Sequence, residues 1–365
     1  MKKDLGVGNE SFPDLIESNS YYVDKTPFMK PLLASSSKVQ LITRPRRFGK
    51  SLFISTIESF LKVDPDHPGD ASWQKQLFSG LKVLEDKAFC EQCMGRTPVL
   101  SITFKNAEGD SFESAYKKTA QMLFKTAKRH AYLMESPRLD EEDRETLRSF
   151  CSKRYMTDIS NQEDVSSFIG SMISFLARHF GRPAVLLIDE YDVPLAKAAF
   201  KGYYDEMVEF MRSLLSPLKT GGEDTVKGRP VLGKAILTGC LRVSKESLFT
   251  GINNLKVNTV CSGGDLLAPA IGFTQGEVDA LLAYYGMSAR REDVRRWYDG
   301  YRLASQELYC PWDVMSFVQE AREFTDPLSC RPQSFWANTG GTDVIDKFLG
   351  GLDEAEADRM QALVN

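Results

Sequence analysis

The sequence predicts an α/β fold, in which a mainly parallel sheet lies between two layers of helices and a smaller helical region follows. Short apolar runs alternate with longer stretches of helical periodicity, which is the order that parallel strands with crossover helices require. The strongest run, at 183–189, contains five consecutive apolar residues. A run without polar alternation is typical of a parallel strand that is buried on both faces.

The elements of this sheet can be placed in order along the chain. Their limits rest on the change from continuous apolar runs to apolar residues at helical spacing. Strands are predicted at 38–43, 98–104, 183–189, 231–241 and 256–260, and helices at 51–61, 112–132, 165–180 and 203–218.

The composition of the 365-residue chain is that of a globular protein, with 42% hydrophobic and 26% charged residues. This excludes a disordered, collagen-like or coiled-coil chain. The formal charge of -4 shows no basic coat for nucleic acid, although a local patch stays open. No apolar run reaches the roughly 18 residues of a membrane span, so we expect no membrane partner. The first residues lack the apolar segment of a signal peptide.

The cysteines indicate a reducing environment. Their number, seven, is odd and their spacing is irregular, which favours free thiols in the cytoplasm over a disulfide framework. Cys90 and Cys93 form the one C-x-x-C of the chain. A structural zinc site needs four ligands, so we interpret these two residues as ordinary thiols.

The character of the sequence changes after Gly272. Thr274 followed by Glu277 is a capping box, which predicts a helix over 278–285. Beyond it we expect helices and aromatic-rich turns, with Trp297 and Tyr301 in their core. The chain therefore divides into a core at 1–270 with a lead-in at 1–37, a helical lid at 271–350, and a tail at 351–365.

One motif carries the chemistry. The residues at 43–51 (TRPRRFGKS) lie between a predicted strand and a predicted helix. A phosphate-binding loop needs this context, because backbone amides and the helix N-terminus then point at an anion. Lys50 would bridge the β- and γ-phosphates, and the Ser51 hydroxyl would bind Mg²⁺. Where the usual G-x-x-x-x-G-K-[ST] pattern begins with glycine, this chain has Arg44. The arginines at 44, 46 and 47 would add positive charge around a triphosphate. The other expected nucleotide contacts are Arg46, Arg47, Phe48, Gly49 and Leu52.

A second motif is the apolar strand that ends in Asp189 and Glu190. In a P-loop nucleoside triphosphatase the first acid belongs to the Mg²⁺ site and the second orients and activates the attacking water. We expect Asp192 to cap the next helix. Together the two motifs predict a three-layer P-loop NTPase core.

A third element is the predicted strand that ends at Thr238, with Arg242 shortly after it. Thr238 would sense the γ-phosphate, and Arg242 would neutralise transition-state charge, in cis or toward a neighbouring subunit. A surface ion pair is the alternative for Arg242.

The lead-in contains Tyr22, which could stack on the adenine base. The alternative is a helix start, with Asp24 or Thr26 as the cap and Pro27 in the first turn. Further along, Arg302 could reach the phosphates from the lid. The arginines at 290, 291, 295 and 296 are interpreted as a solvated helix face, with a nucleic-acid patch as the alternative.

These motifs together resemble the bacterial AAA-ATPase-like family, whose members share the R-P-R-R-F-G-K-[ST] loop found here at 44–51. Further stretches are similar to other motifs of that family, at 22–26, 237–255, 297–302 with Pro311 and Trp312, and 335–339. The resemblance covers about residues 6 to 350. It implies an ATPase of the AAA+/STAND-like group, and often a C-terminal PD-(D/E)xK nuclease-like domain, which we expect to be absent here.

The sequence therefore predicts Mg²⁺-dependent ATP binding and hydrolysis, which would drive or gate a partner or nuclease-like domain. ATP, ADP and Mg²⁺ are the expected ligands, and a homo-oligomer stays open. One alternative is a nucleotide switch with very slow turnover. A second is a nucleic-acid scaffold that uses the arginine-rich loop, against which the overall acidity argues.

Overall fold

A computed structural model describes most of the chain, namely residues 2–222, 224–240, 248–249, 251–252, 254–259, 267–303 and 306–335, with the backbone alone for Arg302 and Leu303. The strands of this part are β1 (Val39–Thr43), β2 (Val99–Thr103), β3 (Ala184–Asp189), β4 (Thr225–Val226), β5 (Arg229–Pro230), β6 (Leu232–Gly239), β7 (Leu255–Asn258), β8 (Asp299–Leu303) and β9 (Gln306–Tyr309).

The main sheet has the order β2-β3-β6-β1-β7, and every neighbouring pair in it is parallel. Strand β6 therefore separates β1, which leads into the phosphate-loop motif, from β3, which ends in the acidic motif. The pairs β4–β5 and β8–β9 are antiparallel hairpins outside this sheet.

Helices cover both faces of the sheet and build the region after it. They are α1 (Phe12–Glu17), α2 (Met29–Ala34), α3 (Lys50–Leu61), α4 (Ser72–Leu77), α5 (Lys87–Cys93), α6 (Phe112–Arg129), α7 (Glu141–Phe150), α8 (Lys153–Thr157), α9 (Gln162–Ser166), α10 (Phe168–Phe180), α11 (Val193–Lys201), α12 (Tyr204–Leu214), α13 (Pro217–Thr220), α14 (Gln275–Tyr285), α15 (Arg291–Tyr298) and α16 (Pro311–Ala321).

The sheet carries a hydrophobic core on each face. Successive side chains of a strand point to opposite faces, and β3 shows this directly. Leu186 and Ile188 join the core that includes α6, α10 and α12, whereas Val185 and Leu187 join the core that includes α3 and α5. Burial on both faces explains why this strand reads as an unbroken apolar run, and it confirms the predicted α/β architecture.

The predicted strands and helices of the sheet region are present, with shifts of a few residues at their ends. The predicted helix at 112–132 ends as an α-helix at Arg129, and the one at 165–180 is divided into α9 and α10. The capping box is confirmed: the Thr274 side chain accepts from the Glu277 amide while the Glu277 carboxylate accepts from the Thr274 amide.

The region after Gly272 differs from the prediction in three ways. It contains the hairpin β8–β9, so it is not purely helical. Trp297 is 52% exposed and not a core residue, whereas Tyr301 packs against Phe48 of the phosphate loop. Arg290 is buried, not solvated, because its guanidinium donates to three backbone carbonyls at 327, 328 and 330.

The N-terminal lead-in packs against this second region. Leu5 lies in the same core as residues of α14 and α16. The Lys25 ammonium donates to both Glu277 carboxylate oxygens, at 2.6 and 2.7 Å, and to the Pro269 carbonyl at 2.7 Å. Glu277 therefore both caps α14 and holds the lead-in. Within the described residues no helix has the length and apolarity that crossing a membrane demands.

Candidate functional site

The loop between β1 and α3 passes twice through left-handed backbone conformations. Arg47 has φ 69 and Gly49 has φ 92. Glycine takes a positive φ without strain, so Gly49 suits its place as the N-cap of α3. A positive φ is uncommon for arginine, and such conformations cluster at ligand-binding sites. The N-terminus of α3 opens at the carboxyl end of the sheet, where its amides attract anions.

Lys50 is the first residue of α3, and its side chain folds back into the loop. The ammonium donates to the carbonyl oxygens of Arg44, at 3.0 Å, and Pro45, at 2.8 Å. It also lies 3.4 Å from the Cys240 sulfur, at the end of β6. The residue is only 6% exposed. A buried cation is therefore held at the centre of the loop by its carbonyl oxygens.

Asp189 connects the loop to two strands. Its Oδ2 accepts from the Ser51 hydroxyl at 2.5 Å, and its Oδ1 accepts from the Thr238 hydroxyl at 2.6 Å. Thr238 is fully buried on β6, the strand between β1 and β3. The parallel register thus brings together side chains that are far apart in sequence. Ser51 and Asp189 offer hydroxyl and carboxylate oxygens, the donors that Mg²⁺ prefers, so this pair fits a magnesium ion.

Glu190 follows Asp189 directly and faces the cleft beside the loop. Its φ of 56 is left-handed, which is a strained conformation for glutamate and is held by the surrounding structure. Burial, with the negative charge of Asp189 as a second cause, raises the pKa of the Glu190 carboxyl, while Lys105 and Lys50 oppose this rise. A carboxyl with a raised pKa is suited to accept a proton near neutral pH.

The end of β6 packs tightly against the segment after β3. A Cβ atom at Gly239 would lie 2.5 Å from an Asp192 carboxylate oxygen and 2.6 Å from the Tyr191 ring. Asp192 stands at the N-cap position of α11, yet its side chain accepts from the Cys240 amide at 3.0 Å and makes no capping bond. The predicted cap is therefore wrong, and Asp192 instead ties α11 to the end of β6.

A cleft of about 1480 Å³ lies over these strand ends. This volume is larger than a single small ligand needs. The phosphate loop and Glu190 line its floor, and the lead-in and the region after Gly272 line its walls. The predicted site residues that line it are Tyr22, Arg46, Arg47, Phe48, Gly49, Lys50, Ser51, Leu52 and Glu190.

The arginines of the loop do not act alike. Arg44 is fully buried, and its guanidinium donates to the carbonyl oxygens of Thr43, at 2.9 Å, and Asn258, at 3.0 Å. It supports the ends of β1 and β7 and does not line the cleft, so any effect of Arg44 on a triphosphate stays a prediction and would act through its charge, not through contact. Arg46 is exposed and lines the cleft.

Arg47 and Phe48 connect the loop to the second region. The Arg47 guanidinium lies 4.2 Å from the centre of the Trp312 ring and donates to the Phe335 carbonyl. The Phe48 ring is buried and meets the Tyr301 ring edge-on, with centroids 4.7 Å apart. Their side chains thus pack against the second region at the wall of the cleft, and their backbone forms the turn that leads to Gly49.

The lead-in contains the predicted turn, and the base contact of Tyr22 stays a prediction. The Asp24 carboxylate accepts from the Thr26 amide at 2.9 Å, so it caps the short turn before α2. Tyr22 lines the cleft while its ring packs edge-on against Phe12, with centroids 5.2 Å apart. Burial raises the pKa of the Tyr22 hydroxyl, which hydrogen-bonds with Thr56. Tyr22 is therefore held firmly at the wall.

Cys240, Glu10 and Lys105 line the cleft, and sequence reasoning did not identify them. Cys240 contacts Lys50, and the ion pair of Glu10 with Lys105 lies at the cleft near Glu190. None of the three belongs to a recognisable motif; only the position of Lys105 just after a predicted strand pointed to the same sheet edge. Arg242 and the Arg302 side chain lie outside the described residues, as do most of the motif at 335–339 and the tail at 351–365.

Comparison with known proteins identifies the same family that the motifs of the sequence resemble. The chain matches the AAA-ATPase-like family, described as "Predicted AAA-ATPase", over residues 6–249. An uncharacterised protein from the vnfD 5′ region of Azotobacter chroococcum mcd 1 is 30% identical over 342 residues, which are 93% of this chain and 54% of that protein. The chain thus spans about half the length of this relative.

Among solved structures, a Walker-type ATPase of Pyrococcus abyssi aligns with 93% of this chain and 74% of its own, at 12% identity and a TM-score of 0.38. That likeness is too low to support any inference here. The family match covers more than half of the chain and includes both the phosphate loop and the acidic strand. The chain therefore belongs to the AAA-ATPase-like family of P-loop proteins.

Proposed function

We propose that this chain binds ATP together with Mg²⁺ in the cleft and hydrolyses it. The observation that carries the proposal is the convergence of the loop lysine, the Ser51–Asp189 pair and Glu190 at the carboxyl ends of neighbouring parallel strands. Ligands of open α/β sheets bind at that edge. Family membership supports the same activity, and the contacts above suggest what each residue does.

The loop would hold the phosphates. Lys50 and the amides from Arg46 to Gly49 face the anion, and Lys50 exchanges the carbonyl oxygens of its own loop for phosphate oxygens. Ser51 and Asp189 would hold Mg²⁺, which when bound neutralises charge on the phosphates. Thr238 hydrogen-bonds with one carboxylate oxygen of Asp189, and Ser51 hydrogen-bonds with the other. From its place on β6, Thr238 would sense the γ-phosphate.

Glu190 would position the attacking water and accept its proton. Its carboxylate follows the metal-binding aspartate on the same strand end, so it faces the terminal phosphate. Its left-handed backbone is uncommon for glutamate, and such conformations cluster at functional sites. Arg242 stays a proposed partner for transition-state charge, in cis or from a neighbouring subunit of a homo-oligomer.

The surroundings of the site suggest how it works in a larger protein. Tyr22 would contact the base, and the region at 271–350 would act as a lid on the core at 1–270. We propose that hydrolysis drives or gates a partner or a nuclease-like domain. The six described cysteines are free thiols, which supports a cytoplasmic location.

A nucleotide switch is the second candidate, favoured by one observation. The Lys50 ammonium donates to carbonyl oxygens of its own loop, and these would compete with a phosphate for the same cation, as in a site that alternates between two bonded states. The nucleic-acid scaffold loses its main support, because Arg44 is buried and Arg47 is stacked on Trp312.

The test compares ATP binding with phosphate release. Wild type should bind ATP more tightly with Mg²⁺ than with EDTA, and should release phosphate over many turnovers. Lys50→Ala should lose binding of both ATP and ADP, and it should also lose some thermal stability, because two loop carbonyl oxygens are left without this donor. A single burst of phosphate followed by retained ADP would favour the switch, and ATP binding unchanged in Lys50→Ala would contradict both candidates.

A further inference from the structure

An ion pair that no motif predicts lies at the cleft. The Lys105 ammonium donates to both carboxylate oxygens of Glu10, at 2.8 and 2.7 Å. Glu10 belongs to the lead-in, and Lys105 follows β2, so the pair joins segments that are 95 residues apart. Both residues line the cleft together with Glu190 and the phosphate loop. An acidic side chain thus lies at the rim of a site built to receive an anion.

The sheet register places Lys105 one residue further along than the position opposite Glu190. Strand β2 pairs with β3 so that Thr103 lies opposite Asp189. The next amide, of Phe104, donates to the Asp189 carbonyl at 3.0 Å, which extends the pairing by one step and sets Phe104 opposite Glu190. Lys105 comes directly after Phe104, and both Lys105 and Glu190 line the cleft at the ends of these neighbouring strands. The Lys105 amide donates to the Thr103 hydroxyl and Asn106 turns the chain with φ 68, so this position is fixed by the backbone.

The charges around Glu190 are unevenly matched. Three carboxylates, of Glu10, Asp189 and Glu190, share this end of the cleft with two ammonium groups, of Lys50 and Lys105. The hydrogen bond with Glu10 is the main cause that raises the pKa of Lys105. Glu190 and Asp189 have proposed roles in catalysis and metal binding, whereas Glu10 has none. Its carboxylate is hydrogen-bonded to the Lys105 ammonium, which lies near the proposed catalytic centre.

We propose that Lys105 is a further phosphate-binding residue of this site, and that Glu10 is a competing anion which the terminal phosphate of a bound triphosphate displaces. This inference rests on the proposed function. A lysine ammonium is a compact charge with three donors and binds phosphate readily. The pair is half exposed on both sides, at 46% and 53%, and exposed ion pairs contribute little to stability, so the exchange costs little.

The exchange would make the site respond to the length of the phosphate chain. Lys105 stands on the Glu190 side of the cleft, where the attacking water and the terminal phosphate meet. The terminal phosphate of a triphosphate reaches that side, whereas a diphosphate leaves Lys105 with Glu10. Displacement of Glu10 would also free the segment at 6–10, which lines the same wall. Lys105 would thus distinguish ATP from ADP and report the difference to the lead-in.

The test is the affinity for a non-hydrolysable ATP analogue and for ADP, both with Mg²⁺, measured by calorimetry on the whole chain. Lys105→Met should weaken binding of the analogue by about tenfold or more, because a hydrogen bond to a charged group is lost. Its affinity for ADP should stay within about twofold of wild type. Lys105→Arg should restore most of the loss. Glu10→Gln should tighten binding of the analogue by a few-fold and leave ADP unchanged, because the competing charge is gone.

An ion pair of similar geometry elsewhere provides the control. Lys117 and Glu113 are paired on α6 at 2.6 Å, with exposures of 47% and 58%, and neither lines the cleft. Lys117→Met and Glu113→Gln should change neither affinity. If wild type binds both nucleotides and Lys105→Met leaves their ratio unchanged, this inference is overturned alone. If wild type binds neither, the proposed function fails first and the inference with it.

Discussion

The floor and the rim of the cleft are built in different ways. The floor consists of Lys50 and Ser51 at the start of α3, Glu190 just after β3, and Asp189 and Thr238 at the ends of β3 and β6. The contacts of Asp189 with Ser51, at 2.5 Å, and with Thr238, at 2.6 Å, join the start of α3 to two neighbouring parallel strands.

The rim consists of three pairs that join distant segments: Glu10 with Lys105, Lys25 with Glu277, and Arg47 with Trp312. The sheet fixes the floor, so the floor cannot move without disturbing two hydrophobic cores. The rim depends on single side-chain contacts, which can open while the sheet stays intact. We therefore expect changes in the floor to affect chemistry or folding, and changes in the rim to affect affinity and closure.

A large effect within the floor is expected for Asp189→Asn. The amide still hydrogen-bonds with Ser51 and Thr238, so the fold should persist, but the charge that Mg²⁺ needs is lost. We expect ATP turnover to fall by about 100-fold or more, since a metal contributes several kcal/mol to the transition state. Steady-state phosphate release against Mg²⁺ concentration measures this. Asp205→Asn, on the exposed side of α12, is the control and should behave as wild type.

Arg44→Met separates the folding role of the loop from its binding role. The guanidinium is fully buried and donates to two backbone carbonyls, which the substitution leaves without these donors. The free energy of unfolding should fall by about 2–4 kcal/mol. Urea denaturation measures the loss, and calorimetry on the folded protein should give an ATP affinity within about threefold of wild type. Unchanged stability with lost binding would make Arg44 a phosphate ligand and overturn its assignment.

Gly239→Ala tests the close packing that holds β6 against the segment after β3. The added Cβ would lie 2.5 Å from the Asp192 carboxylate, so the neighbours must shift. We expect a loss of about 1–3 kcal/mol in the free energy of unfolding. Gly276→Ala is the matched control, because no atom lies within 4 Å of the new Cβ in α14; it should be neutral or slightly stabilising. Equal effects at both positions would show that the contact at Gly239 is not tight.

The smallest effect is expected at the rim. A double-mutant cycle of Arg47→Met and Trp312→Leu should give an interaction energy of about 0.5–2 kcal/mol in unfolding free energy, the range of a partly desolvated cation–π contact. Additive single effects, within about 0.5 kcal/mol, would show that the two residues are not coupled and that the loop does not hold the second region.

The same contrast explains what the sequence could predict. The floor residues lie in short motifs at strand ends, and an apolar run followed by polar residues locates them without knowledge of the fold. The capping box at Thr274 follows equally from a local pattern.

The rim could not be predicted, because each pair joins segments whose proximity depends on the folded chain. Arg44 illustrates the limit within a single motif. Its neighbours in sequence suggest a phosphate contact, but the backbone turns it toward β7 and the carbonyl of Asn258. The hairpin β8–β9 was missed because its strands are short and polar, without the alternation that marks a half-buried strand.

The central claim is that Glu190 makes this an ATP-hydrolysing site, and Glu190→Gln tests it most directly. The glutamine keeps the shape of the side chain but cannot accept the proton of the attacking water. With ATP and Mg²⁺, we expect binding within a few-fold of wild type by calorimetry and turnover lower by about 10²–10⁴-fold. Phosphate release at the wild-type rate would contradict the assignment of Glu190 and, with it, the account of how this floor acts on ATP.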